Sequence, residues 1–200
     1  NALSRKGQYD RAIDDYDKSI KFNPKYARAY SNRGVAHYKT GNHARAIDDL
    51  TQSISLDPGY ALAFANRADA YQNAGRYDDA FRDFDEAIRL QPAMEEAWNG
   101  RCWARARAAQ LEAALADCNE AIRINPAAAA SLDTRGLTYL KMGRWESAVA
   151  DFDAALRLAP TMASALYGRG VARLKGGDNV AGKADQAAAI AIGPKIADEF

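Results

Sequence analysis

Small and apolar residues along the chain fall into short stripes with helical spacing. Ala46, Ile47, Leu50 and Ile54 follow i, i+1, i+4, i+8, the stripe of a helix that turns one face to a core. Just upstream, Tyr30, Gly34 and His37 follow i, i+4, i+7. Gly41 lies between the two stripes, where a helix ends most readily in the left-handed conformation. Pro58 closes the second stripe, because proline cannot continue a helix interior. The pattern predicts two antiparallel helices of roughly 13 residues, ~20 Å each, joined by a tight turn.

That pattern returns along the 200 residues. The prolines are Pro24, Pro58, Pro92, Pro126, Pro160 and Pro194, each 34 residues after the last. Gly7, Gly41, Gly75, Gly143 and Gly177 keep the same step, with Ala109 in the one substituted place. A small column runs Gly34, Ala68, Cys102, Gly136, Gly170 and a bulky one Tyr30, Phe64, Trp98, Leu132, Leu166. Small residues set against large ones let paired helices approach closely. A fixed period of this length denotes stacked helix–turn–helix units that bury a continuous core between neighbours.

The columns resemble the tetratricopeptide repeat family along essentially the whole chain. One unit carries the family pattern as Tyr30, Gly34, Gly41, Ala46, Leu50 and Pro58. The next carries it as Phe64, Tyr71, Gly75, Tyr77, Ala80, Phe84, Ala87 and Pro92. One column departs, with Arg33, Arg67, Arg101, Arg135 and Arg169 where the family commonly has leucine. The resemblance implies an all-α, right-handed superhelical solenoid forming a single array over residues 1–200. On this scheme residues 1–26 are a partial repeat lacking most of its first helix, and 27–60, 61–94, 95–128, 129–162 and 163–196 are full repeats. Residues 197–200 then read as the start of a further or capping helix, with Phe200 in the bulky column.

Composition narrows the function classes. The 44 alanines favour helix over strand. Lys plus Arg is 27 against 26 for Asp plus Glu, a net charge of +1, so the basic excess of a nucleic-acid binder is missing. No apolar run approaches the ~18 residues of a membrane span. Two cysteines are too few for a disulfide scaffold, and cell compartment stays open.

Candidate chemistry mostly dissolves into the repeat. Asp15, Asp49, Asp83, Asp117, Asp151 and Asp185 march with the arginines, pointing to Arg–carboxylate pairs between packed helices rather than a ligand ladder. The spacing leaves open whether each arginine meets the aspartate of its own unit or of the one before. His37 and His43 straddle the Gly41 turn six residues apart, a poor metal spacing, and His43 fills a column that holds Tyr and Trp elsewhere. Cys102 and Cys118 occupy a small and an aromatic column, which reads first as volume exchange across one contact, with a disulfide as the rarer alternative. No phosphate-binding glycine loop, Ser-His-Asp set or His-Glu-x-x-His run is present, so no enzyme, cofactor or metal is expected.

Function is expected on residues the core does not use. In the resembled family, peptides bind the concave face made by the first helix of each unit. Here that face offers Asn32, Asn66, Asp69 and Asn99, then Trp103, Leu137, Leu140, Tyr167, Val171 and Leu174. It is amide-rich toward the N-terminal half and apolar toward the C-terminal half. Some family members clamp a peptide carboxylate with basic residues flanked by asparagines. Ser31, Val35, Asn66, Glu96 and Gly100 stand in those columns, so that clamp is not expected. The expectation is a non-catalytic superhelical scaffold for a protein or peptide partner, without nucleic acid. The alternative is a structural module for self-assembly as a homo-oligomer, or for packing against another domain of its parent chain.

Overall fold

Helix starts keep the period of the sequence. The structure, a computed structural model, describes residues 2–199. After α1 (Ala2–Phe22), first helices α2 (Ala27–Lys39), α4 (Ala61–Asn73), α6 (Glu95–Arg107), α8 (Ala129–Lys141) and α10 (Ala163–Lys175) alternate with second helices. The second helices are α3 (His43–Leu56), α5 (Tyr77–Leu90), α7 (Leu111–Ile124), α9 (Trp145–Leu158) and α11 (Asn179–Ile192). The architecture is therefore all-α, a solenoid-type succession of helical hairpins.

The turns follow from backbone sterics. Gly41, Gly75, Gly143 and Gly177 all have positive φ, between 74° and 95°, the conformation that costs glycine least. Ala109 takes the same path at φ 59°, so its Cβ carries strain that the other turns avoid. Gly7 departs from its column. It lies inside α1, which runs unbroken where the pattern placed a turn. Among the described residues α1 packs only on α2, and its helical hydrogen bonding continues through Gly7. At the other end, Ile196–Glu199 form one 3-10 turn rather than a helix start, and Phe200 lies outside the described residues.

The chain divides into two compact units, Asn1–Gly100 and Arg101–Phe200. In the first, α2 packs on α3 and α4 on α5, while α2 also touches α4. In the second, α8 packs on α9 and α10 on α11, while α8 touches α10. First helices thus neighbour one another in each unit, and they define its inner face. Ala46, Leu50, Ala63 and Ala70 form a core cluster in the first unit; Leu132, Ala148, Phe152, Ala155, Leu156, Ala165 and Ala172 form one in the second.

Glycine also records what the neighbouring ring needs. A Cβ built on Gly100 would stand 2.6 Å from the Phe84 ring, and one on Gly168 2.5 Å from the Phe152 ring. Both positions share a column that holds Asn32, Asn66 and Thr134 where the register of Phe84 and Phe152 on the preceding helix holds Tyr16, Leu50 and Cys118. The aromatic ring therefore packs onto bare backbone of the next first helix.

The charged columns resolve into buried forks. Arg33 pairs with Asp49, Arg67 with Asp83, Arg101 with Asp117, Arg135 with Asp151 and Arg169 with Asp185. In each pair Nε and Nη2 donate to the two carboxylate oxygens, at 2.6–2.9 Å. Nη1 reaches back to the previous second helix: Arg33 to Asp17, Arg67 to Thr51, Arg135 to Asn119 and Arg169 to Asp153. Each of these four guanidiniums therefore meets both its own unit and the one before. The bonds to Asp49, Asp151 and Asp185 hold the Arg33, Arg135 and Arg169 guanidiniums more firmly charged than a free arginine. Asp15 stands outside the ladder, exposed and paired with Lys18.

Cys102 and Cys118 are disulfide-bonded, which corrects the expectation of two free thiols filling a packing gap. Their Cα atoms are 5.4 Å apart, because the small and aromatic columns face each other across the hairpin. The same contact in the next unit is Gly136 against Phe152.

Candidate partner-binding face

The inner face of the first unit is built from the exposed sides of α2 and α4 and from α6 as far as Gly100. Asn32 is exposed on α2, and Asn66 and Asp69 are half-buried on α4. One turn beyond Asp69, Gln72 donates from Nε2 to Asp69 Oδ1 at 2.8 Å. Asn73 donates from Nδ2 to the Tyr38 hydroxyl at 2.8 Å and to the Asp69 carbonyl at 2.9 Å, tying α4 to α2. Lys39 Nζ lies over the Tyr38 ring, 5.2 Å from its centre. On α6, the built Cβ position of Gly100 is 3.6 Å from Asp69 Oδ1, so that backbone walls the carboxyl on one side.

This enclosure has an electrostatic cost. Burial pushes the Asp69 carboxyl up to about 7, against the pull of the Lys39 charge. Among the described residues no arginine forks onto it as one does onto Asp49, Asp83, Asp117, Asp151 and Asp185. Two further acceptors are open: Gln72 Oε1 and Asn99 Oδ1 are buried atoms with no hydrogen-bond donor. Gln72 is itself only 8% exposed.

The inner face of the second unit has another character. Trp103 is half-buried, with the Arg107 guanidinium 4.7 Å from its ring centre. Leu137 and Leu140 pack against the Leu132–Phe152 core cluster. Leu174 fits over bare backbone, its Cγ 2.7 Å from where Gly182 would carry a Cβ. Tyr167 and Val171 are half-buried, and Ser164 donates to Asp133 Oδ2 at 2.8 Å. None of the six apolar residues expected as an exposed strip is fully exposed.

The structure thus gathers Asp69 with Tyr38, Lys39, Gln72 and Asn73, all in columns the sequence places on the groove, although only Asp69 is among the expected partner-binding residues. The signal was present: Gln72 is a polar residue in a column holding Ala106, Leu140 and Leu174 elsewhere. His43, expected as a packing residue, stacks at a tilt on Tyr38, with ring centres 5.5 Å apart. His37 lies 3.9 Å from Asp49, its imidazole held less basic by burial although Asp49 pulls the other way. Among the described residues no three His, Cys, Asp or Glu side chains gather as a metal site, and no helix is long and apolar enough to cross a membrane.

Paired helical units on this period define a class of protein-interaction scaffold, and family models place the chain within it. A model described as "TPR repeat" matches residues 1–41, and tetratricopeptide repeat models match residues 27–60, 61–93 and 101–190. The chain belongs to the tetratricopeptide repeat family, whose members are generally non-catalytic. No curated protein matches it in sequence.

Solved structures show the same fold. YrrB, described as a TPR protein with an unusual peptide-binding site, is similar at 21% identity and TM-score 0.63, over 92% of this chain and 96% of that one. A thermophilic TPR protein of Thermus thermophilus, TTC0263, is similar at 22% identity and TM-score 0.75, over 86% and 94%. The hetero-tetramer Cut9–Hcn1 of the APC/C contains a chain similar at 16% identity and TM-score 0.87, over 99% of this chain and 42% of that one.

Proposed function

We propose that this chain is a non-catalytic scaffold that holds a peptide or helical segment of a partner protein on the inner faces of its first helices. One observation carries the reading: that face of the first unit bears buried polar atoms whose hydrogen bonds are unfilled, Gln72 Oε1 and Asn99 Oδ1. An unmade buried hydrogen bond costs on the order of 1–3 kcal/mol, and a bound backbone or side chain supplies the missing donors. Asn32 and Asn66 add amides along the same face. The peptide-binding site in the description of YrrB supports the reading by analogy of fold. Photo-crosslinking tests it. A benzophenone amino acid at Asn66 should give partner adducts in the native lysate, whereas the same probe at exposed Arg45 on α3 should give none. Equal adducts from both positions, or adducts only from Arg45, would reject the inner face.

A further inference from the structure

Asp69 and Gln72 form a polar pair on the inner side of α4, the carboxyl half-buried and the amide buried, with acceptors left over once they have bonded each other. Gln72 spends its amide protons on Asp69 Oδ1, which fixes the orientation of the amide and leaves Oε1 facing no donor. Reversing the amide would set oxygen against oxygen. Asp69 Oδ2 receives no hydrogen bond among the described residues, and no cationic nitrogen stands within ion-pair distance of the carboxyl. Lys39, the nearest basic group bearing on it, is turned over the Tyr38 ring. Asn99 adds a third open acceptor on the residue before Gly100. The ladder aspartates, from Asp49 to Asp185, already have their guanidiniums.

We infer that the Asp69–Gln72 site takes a cationic side chain of the bound peptide, arginine in preference to lysine. The inference rests on the peptide-binding function proposed above and names the chemistry of its ligand. A carboxylate short of donors gains most from a charged donor, since such bonds are roughly twice as strong as neutral ones. A guanidinium presents several N–H groups in one plane, so a single arginine satisfies Asp69 Oδ2 and Gln72 Oε1 together. An ammonium is a point charge and fits this spread of acceptors less well. The raised proton affinity of Asp69 agrees with a carboxyl enclosed without a counter-charge, which is a common mark of a binding site.

The test uses the full 200-residue chain and Asp69→Asn, with a phage library of random dodecapeptides as probe. Clones selected on the parent chain should be enriched several-fold in arginine at one aligned position. A peptide made from the leading clone should lose about tenfold in affinity when Asp69 becomes asparagine. It should lose the same when its arginine becomes citrulline, which keeps the shape and removes the charge. The two changes together should cost no more than either alone. Circular dichroism establishes that Asp69→Asn is folded. Binders without a basic residue, or arginine peptides that bind Asp69→Asn as tightly, would overturn the site while leaving a peptide-binding face. A library that yields no binder on the parent chain would overturn both readings.

Discussion

One helix of the first unit, α4, and two of the second, α8 and α10, fill the same pair of inner-face columns in opposite ways. In the first, one turn of α4 holds Asp69 and Gln72; in the second, the matching turns hold Leu137 with Leu140 on α8 and Val171 with Leu174 on α10. The spacing is i, i+3 in every case, so each pair shares a helix face. The leucines pack one side against the Phe152 cluster or the Gly182 backbone and stay half-buried. The polar pair is no more exposed, with Asp69 half-buried and Gln72 buried, but it is bonded to itself with acceptors left over. One pair of columns therefore carries apolar packing on α8 and α10 and unfilled acceptors on α4.

The largest expected effect lies in the ladder that both units share. Removing one partner of a buried pair costs ~3–5 kcal/mol, because the other charge is stranded. Asp117 also accepts from Arg105, and Asp185 from Arg173, whereas the same column beside Arg135 holds Tyr139. Arg135→Ala should therefore lower the melting temperature more than Arg101→Ala, a difference that thermal unfolding resolves. Equal losses would mean that Arg105 gives Asp117 no support.

The disulfide comes next and belongs to the second unit alone. It closes a loop of sequence separation 16, worth about 3 kcal/mol by restricting the unfolded chain. Cys102→Ala with Cys118→Ala should weaken amide protection in α7 and α8 by hydrogen exchange and leave α2 to α4 unchanged. Loss spread evenly over both units would show that they unfold as one.

A smaller effect distinguishes the polar turn. The folded state holds the Asp69 proton up to about pH 7, while the unfolded chain releases it near the ordinary 3.8. Between those values the folded state binds more protons, so this residue makes stability fall as pH rises. Above about 7 the full penalty applies, on the order of 1–3 kcal/mol for a half-buried carboxyl. Asp69→Asn should thus be more stable than the parent at pH 8 and nearly equal to it at pH 4 in urea unfolding. A variant less stable at pH 8 would make Asp69 a structural residue, like Leu137.

The smallest change sits at the Ala109 turn. Ala109→Gly removes the left-handed penalty at a cost in chain entropy, and should raise stability by about 0.5–1 kcal/mol. Ala→Gly at a helical position such as Ala104 is the control, and it should destabilise.

Much of this architecture is legible in the sequence because period, proline and glycine act locally. A glycine at the turn column needs φ > 0 whatever surrounds it, and Gly41, Gly75, Gly143 and Gly177 comply. Gly7 does not: it lies within α1, so a column residue permits a turn without forcing one. The arginine and aspartate columns are both legible, but not which unit each arginine meets: a guanidinium has enough donors for two helices, and spacing alone cannot divide them. Cys102 and Cys118 match a packing pair in volume, so only their facing geometry distinguishes a bond from a contact. At the candidate site, the columns reveal which residues face inward. Which acceptors remain unfilled depends on rotamers and on Gly100 admitting the carboxyl, and neither is periodic.

The double reach of the arginines bears on how such a chain can lengthen. Arg33, Arg67, Arg135 and Arg169 each bring their own aspartate on the same 34-residue segment. What Nη1 demands of the preceding segment is loose: an aspartate, a threonine or an asparagine all serve. A tandem duplication or deletion of one such segment in the gene therefore strands no buried charge at either junction. Grafting a further hairpin thus needs no new charge at the seam, only a glycine wherever the preceding second helix presents the ring of Phe84 or Phe152.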